Sequence, residues 1–116
     1  MGNHLRKMAT ILKSIGDEKR LKIVKMLASN TDEVFCVSDI AEKLGITQPA
    51  ASQHIKVLKG IGIIEENRKG FKVFYTINSE VLDNHIKDIE ELFKRAFEKC
   101  PYNFSCNNCQ YQNKCQ

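Results

Sequence analysis

Residues 37–77 constrain the fold of this 116-residue chain more than any other segment. Gly45 can adopt the left-handed backbone that ends a helix sharply, and Thr47 is a suitable N-cap for a new helix directly after it. Apolar residues recur at helical spacing on both sides of this break: Ile40, Ala41 and Leu44 before it, and Ala51, Ile55 and Leu58 after it. The pattern predicts two short helices joined by a tight turn, which is a helix-turn-helix.

The second predicted helix has an outer face that suits DNA. Ser38 is the predicted N-cap of the first helix, and Gly60 is the predicted stop of the second. Pro49 is tolerated in a first turn, where the backbone N–H has no partner within the helix. If the apolar residues turn inward, the side chains left on the outer face are Gln48, Ser52, Gln53 and Lys56. Amide and hydroxyl groups of this kind hydrogen-bond to base edges in the major groove, so we predict that these four residues contact DNA.

A β-hairpin is predicted directly after the second helix. Ile63 and Ile64 begin one strand, residues 67–70 read as the turn, and residues 71–77 read as the returning strand. Between residues 47 and 72 there are five Lys/Arg and two Glu, a net +3 in a chain of net charge +4. A basic turn alone is usually a solvated loop, but after a helix-turn-helix it favours a DNA-contacting wing. The predicted contacts on this wing are Arg68, Lys69 and Lys72.

Two further helices are predicted before this core. Residues 4–15 form an amphipathic helix that Gly16 ends, and Asp17 caps the next helix. Leu21, Val24 and Leu27 are expected to face inward from the second of them. Its basic side chains are expected to form a solvated face, with phosphate contact as the alternative: Lys19, Arg20, Lys22 and Lys25.

The longest predicted helix covers residues 80–99, with Ser79 as its cap. Apolar residues alternate three and four apart along it, close to the pattern of a coiled-coil seam: Leu82, Ile86, Ile89, Phe93, Ala96 and Cys100, widened by Leu92 and Phe97. We expect this seam to pack against helix 4–15 and against its copy in a second subunit. A twofold dimer would place the two recognition helices about one DNA turn (~34 Å) apart and so predicts a palindromic operator.

The predicted fold class is mainly α (α+β). Residues 1–99 are expected to form a winged helix-turn-helix with a two-stranded β-hairpin wing and flanking N- and C-terminal dimerisation helices, and residues 100–116 a cysteine-rich tail. No segment approaches the roughly 20 apolar residues of a membrane span, so we expect a cytoplasmic protein without membrane contact. Paired carboxylates, a nucleophile elbow and a phosphate-binding loop are missing from the sequence, so we do not expect an enzyme.

Four of the five cysteines lie in the tail, at Cys100, Cys106, Cys109 and Cys115, with the spacing C-x5-C-x2-C-x5-C. In a cytosolic chain this favours metal or redox chemistry over structural disulfides. Zinc held by all four thiolates is the first interpretation. A [4Fe–4S] cluster would use the same four ligands. Trivalent arsenic or antimony on three thiolates, disulfides and an unligated tail remain open.

Two segments resemble the ArsR/SmtB family of winged-helix repressors over roughly residues 5–99. GDEKRLKIVKML (residues 16–27) resembles the opening helix of that family, and SDIAEKLGITQPAASQHIKVLKGIGII (residues 38–64) resembles its helix-turn-helix core. The aromatic pair Phe74-Tyr75 stands where the family carries its wing tyrosine. The resemblance implies a dimeric DNA-binding repressor that senses a metal or metalloid.

The sensor positions of the family are mostly missing. Its Cys-Val-Cys motif reads Cys36-Val37-Ser38 here, and its Asp-x-His site on the last helix lacks the second histidine that should follow Asp83-Asn84-His85. We therefore interpret Cys36 as a small buried hydrophobe and His85 as an interface residue. His54 is expected either to face DNA or to pack against the wing.

The functional expectation is a homodimeric, sequence-specific transcriptional regulator, a repressor that binds double-stranded DNA and senses a metal or a redox change through the tail. The alternative is a winged-helix protein-interaction module with a structural four-cysteine zinc tail. A third possibility, a thiol oxidoreductase acting through Cys106-x-x-Cys109, lacks the surrounding βαβ pattern.

Overall fold

The computed structural model describes residues 3–96, which fold into five helices and one hairpin. The helices are α1 (Asn3–Ile15), α2 (Glu18–Ser29), α3 (Val37–Leu44), α4 (Gln48–Gly60) and α5 (Ser79–Arg95), and the strands are β1 (Ile64–Lys69) and β2 (Lys72–Ile77). The two strands pair antiparallel. The fold prediction, a winged helix-turn-helix between flanking helices, is confirmed.

The core lies where α2, α3, α4 and the base of the hairpin meet. Its members are apolar residues that are almost completely buried: Ile23, Leu27, Phe35, Ile40, Ala41, Ala51, Ile55, Leu58, Ile63 and Ile64. Ala41 and Ala51 are small, so α3 and α4 can approach closely. The predicted inward residues of α4 are thus correct. On α2, by contrast, Leu21 is 52% exposed and Ile23 takes the inward position.

The helix-turn-helix forms through local contacts that the sequence encodes. Gly45 has a φ of 66°, and its N–H bonds to the carbonyls at the end of α3. Thr47 then caps α4, because its Oγ1 accepts a hydrogen bond from the Ala50 N–H at 3.2 Å. The turn between the two helices therefore follows the predicted chemistry.

The other predicted end signals need correction. The helix α3 begins at Val37 rather than after Ser38, because Asp39 reaches back and accepts the Cys36 N–H at 3.0 Å. Asn78, not Ser79, caps α5 by accepting the Val81 N–H at 3.1 Å.

At the other end of α4, Gly60 is still helical, and the positive φ (80°) falls on Gly62. A Cβ atom at Gly62 would lie 3.3 Å from Val81 Cγ1, so the chain passes close to α5 at this point.

The N-terminal pair of helices is held together by Arg20. Asp17 caps α2 as predicted, and the backbone N–H groups of Arg20 and Lys19 that it accepts keep the pKa of its carboxyl below the usual value. The Arg20 guanidinium donates to the carbonyl of Ser14 at 2.6 Å, at the end of α1, and also lies 3.2 Å from His54 Nδ1. Arg20 is therefore a structural link between α1, α2 and α4 rather than part of a solvated face.

Candidate nucleic-acid interface

The outer face of α4 carries a stripe of exposed polar side chains, Gln48, Ser52, Gln53 and Lys56, which we call the polar stripe. Residues 48, 52 and 56 lie one helical turn apart and therefore share a face. The opposite face of the helix is anchored in the core by Ala51, Ile55 and Leu58. The stripe is therefore presented by a rigid element with its side chains free to contact another molecule.

His54 does not belong to this stripe. Its half-buried ring lies against Arg20 of α2, with 3.2 Å between Nδ1 and the guanidinium. The two expected positions, towards DNA or against the wing, are therefore both replaced by a contact with α2. The two residues are 34 positions apart in the chain, so helical periodicity does not reveal the pairing.

The wing, residues 64–77, ends in a tighter turn than the sequence suggested. Lys69 pairs with Lys72, so only Gly70 and Phe71 form the turn, and Asn67 and Arg68 belong to β1. Gly70 has a φ of 63°, which a two-residue hairpin turn requires. The hairpin therefore stays regular up to its last pair of residues.

The cations of the wing lie on both of its faces. Lys69 and Lys72 are directly paired, and paired residues project to the same face of a hairpin. Arg68, one position earlier, projects to the other face, where its Nε lies 3.8 Å from a carboxylate oxygen of Glu66. Two like charges directly across a hairpin are unfavourable by themselves, and an anion between or beside them removes the penalty. The arrangement is suited to phosphates on either side of the wing.

One ion pair attaches the wing to the recognition helix. Lys59, in the last turn of α4, donates to Glu66 of β1 at 3.0 Å. This hydrogen bond keeps the pKa of the Glu66 carboxyl below its usual value. At the base of the hairpin, the N–H of Tyr75 donates to the carbonyl of Phe35 at 2.8 Å. The wing is thus fixed both to α4 and to the segment before α3.

Cys36 is half-exposed, so its interpretation as a buried hydrophobe is wrong. Its Sγ lies 2.9 Å from Ser38 Oγ and donates to Asp39 Oδ2 at 3.1 Å. The Cys36 N–H bond in turn keeps the pKa of the Asp39 carboxyl low. Within residues 3–96, no three His, Cys, Asp or Glu side chains are grouped in a way that could hold a metal ion. The predicted ligands Cys100, Cys106, Cys109 and Cys115 lie outside the described residues.

The helices α1 and α5 contact each other and leave large apolar side chains in solvent. Leu12 is 37% exposed, Ile86 44% and Phe93 59%; we call these three residues the apolar face. His85 of α5 is half-buried, and its Nε2 donates to the carbonyl of Ile61 at 2.7 Å. His85 thus joins α5 to the turn between α4 and β1 within the subunit, and its expected place in an interface stays a prediction. No described helix is long and apolar enough to cross a membrane.

A helix-turn-helix followed by a basic two-stranded wing defines a winged-helix DNA-binding protein. Residues 17–66 match the family model for bacterial regulatory proteins of the arsR family. An uncharacterized HTH-type transcriptional regulator of Methanocaldococcus jannaschii is 38% identical over 86 residues, 74% of this chain and 94% of the relative. The chain belongs to the ArsR family, and it is a transcriptional regulator rather than an enzyme.

Two further matches bear on function. The arsenical resistance operon repressor of Staphylococcus aureus is 30% identical over 95 residues, 82% of this chain and 88% of the repressor. A solution structure from Mycobacterium bovis, described as a homodimeric winged helix-turn-helix DNA-binding domain, superposes with a TM-score of 0.61 at 25% identity. The superposition covers 81% of this chain and 84% of that domain.

Proposed function

We propose that this regulator is a homodimeric repressor that binds a palindromic DNA operator with α4 and the wing. The observation that carries the proposal is the combination of an exposed polar stripe on α4 with a cationic wing that Lys59 and Glu66 fasten to the same helix. In this arrangement α4 lies in the major groove and Gln48, Ser52, Gln53 and Lys56 contact base edges or nearby phosphates. Arg68, Lys69 and Lys72 contact phosphates beside the groove.

The apolar face supports the dimer. Leu12, Ile86 and Phe93 are exposed in the single chain, and burying such side chains in a second copy would remove their apolar surface from water. A homodimeric solved relative and a relative named as an operon repressor support the same assembly and direction of control. Repression then follows if the dimer covers a promoter and excludes polymerase from it.

The main alternative is a winged helix that binds another protein. The cores of protein interfaces are enriched in aromatic residues and depleted of charge, whereas the polar stripe consists of amides, a hydroxyl and a lysine. Two cations paired across the wing also favour a polyanion. The composition of this surface therefore favours DNA over another protein as its binding partner.

We expect Arg68→Ala and Lys69→Ala each to weaken binding to every DNA sequence alike. A lost phosphate contact removes counterion release, so the slope of log K against log salt should flatten by about one unit per contact in each subunit. Lys69→Ala should weaken DNA binding more than Arg68→Ala does, because the Glu66 carboxylate already partly neutralises the Arg68 guanidinium. The measurement is fluorescence anisotropy at several salt concentrations, on a duplex that the parent protein selects from a random-sequence library.

Lys25→Ala is the matched control, since it removes one exposed cation from α2. The assigned role of the wing would be wrong if the wing variants altered base preference and kept the parental salt slope. If the parent showed no preference among duplexes at any salt concentration, the DNA-binding proposal itself would fail.

The second part of the proposal is that a ligand at Cys100, Cys106, Cys109 and Cys115 changes operator affinity. The four thiols can complete a zinc or [4Fe–4S] site, and three of them can hold trivalent arsenic or antimony. The relative from an arsenical resistance operon favours the metalloid among these. Because Cys100 follows the dimer-forming helix in sequence, a ligand there can alter the relation between the subunits. A tenfold response of operator affinity needs a coupling free energy of only about 1.4 kcal/mol.

The double variant Cys106→Ser/Cys109→Ser tests this coupling. The metal content and absorption spectrum of anaerobically purified parent protein identify the group, since an iron–sulfur cluster is brown and a zinc site is colourless. We expect operator binding by the parent to change at least tenfold between the loaded and the metal-free or oxidised states, and binding by the double variant to stay constant. If the parent binds DNA equally under every metal and redox condition, the tail is a structural element and the sensing proposal is refuted.

A further inference from the structure

The tip of the wing carries a fully exposed aromatic side chain. Phe71 is 107% exposed, whereas Phe35, which pairs with Tyr75 from the segment before α3, is 4% exposed. A phenyl ring that is fully in water buries no apolar surface within the subunit, so it adds no hydrophobic stabilisation to the fold. Its place at the most distant point of the wing instead makes it available to whatever the wing touches.

Local contacts of the hairpin place Phe71 at the tip of the wing. Gly70 closes the two-residue turn, and Asn67 Nδ2 donates to Thr76 Oγ1 at 3.1 Å across the hairpin. The bond between Lys59 and Glu66 fixes the wing to α4. These contacts orient the wing, and with it Phe71, relative to the recognition helix.

The surroundings of Phe71 indicate a nucleic-acid groove. Lys69 and Lys72 lie on one face of the hairpin and Arg68 on the other, so cations flank the aromatic tip on both sides. The minor groove of DNA offers a matching arrangement, because stacked base pairs, between which an apolar side chain can insert, form its floor and a phosphate backbone runs along each wall. Charge on the two faces and an apolar tip between them are complementary to such a groove.

We propose that Phe71 enters the minor groove beside each half-site and wedges its ring into a base step. The inference rests on the DNA-binding function proposed above and adds a residue and a sequence preference to it. Apolar wedges of this kind partly unstack one step and bend the duplex. The energy of that deformation is lowest at TA and CA/TG steps, so Phe71 selects for a flexible step at a position that α4 does not reach.

The test compares the parent with Phe71→Ala and Phe71→Leu on the duplex that the parent selects. Because the side chain is fully exposed, both variants should keep the circular dichroism spectrum and melting temperature of the parent. We expect Phe71→Ala to lose about tenfold in affinity with an unchanged salt slope, because no phosphate contact is removed. Phe71→Leu should lose less. Val34→Ala, which shortens another exposed apolar side chain away from the tip, should bind as the parent does.

Two readouts on the DNA separate a wedge from a simple contact. A 2-aminopurine placed in the flanking step should brighten when the parent binds and stay dim with Phe71→Ala, and energy transfer between end labels should report a bend that the variant loses. Replacing the flanking step by a stiffer one should weaken the parent and leave the variant unchanged.

The outcomes also separate this inference from the proposed function. If Phe71→Ala matches the parent in affinity, bend and fluorescence, or loses affinity without any change at the flanking step, the wedge is refuted while the DNA-binding function stands. If the parent binds no duplex, both are refuted. If the variant is defective only in contacting another protein, Phe71 is a protein-docking residue and the wedge is again refuted.

Discussion

Replacing Gln48 by alanine should cost the regulator roughly 1–3 kcal/mol of binding free energy at each half-site. Gln48 is the first residue of α4 and is exposed, and the N-terminal residues of a recognition helix are those that contact base edges. A glutamine amide can pair with both N6 and N7 of adenine, and alanine can replace neither bond. With two half-sites, the expected loss in affinity runs from about thirtyfold to about ten-thousandfold or more.

The discriminating measurement is a set of operators with each half-site base pair changed in turn. The parent should reject a change at one position per half-site, and Gln48→Ala should become indifferent at that position while keeping its other preferences. Asn84→Ala, which removes an exposed amide on the side of α5 away from the apolar face, serves as the control for alanine substitution in a helix. A variant that lost affinity uniformly across the whole set would place Gln48 on a phosphate instead of a base.

A charge in the apolar face should produce the second large effect. In the proposed dimer, Ile86→Glu or Phe93→Glu would bury a carboxylate against apolar side chains, at a cost of several kcal/mol. We expect both variants to be monomeric by sedimentation velocity. Operator affinity should fall at least a hundredfold, because a monomer engages one half-site and loses the contribution of the second.

Lys94→Gln provides the control, because it changes the net charge by the same one unit on a different, exposed face of α5. It should remain dimeric and bind as the parent does. A dimer that persisted in Ile86→Glu and Phe93→Glu would place the subunit contact elsewhere on the molecule.

Those features of the fold that depend on neighbours in sequence were predictable. The left-handed Gly45, the Thr47 cap and the buried side of α4 each follow from residues within a few positions of one another. The helical and β-hairpin periods also identified the winged helix as a whole. Local chemistry and hydrophobic pattern agree at the turn between α3 and α4, which is why the helix-turn-helix itself was predicted correctly.

The predictions from sequence were wrong where two local structures fit the same residues, or where residues distant in sequence contact each other. Both Ser38 and Cys36 can precede α3, and the reach of the Asp39 carboxylate to the Cys36 N–H decides between them. Likewise, the residues around Gly70 are compatible with a four-residue turn and with a two-residue turn. The pairing of Lys69 with Lys72 shows that the turn has two residues. The contact between His54 and Arg20 is a tertiary event that no local pattern encodes.

The structure exposes the predicted DNA-contacting residues on α4 and the wing, and their contact with DNA stays a prediction. The polar stripe on α4 could be predicted because the apolar residues of the helix determine which face points away from the core. Phe71 was assigned only to a strand, because alternation alone gives an aromatic residue a packed position. Its exposure becomes visible only once the register puts it in the turn.

None of the residues of α5, Ser79–Arg95, is fully buried within a single chain. In the proposed dimer, much of the free energy that orders this helix would come from the second copy, so melting temperature should rise with protein concentration. Operator occupancy would then follow the square of monomer concentration wherever monomers predominate. Operator occupancy would then depend steeply on the rate at which the regulator is synthesised. A modest drop in its concentration would release the promoter for transcription even without an effector.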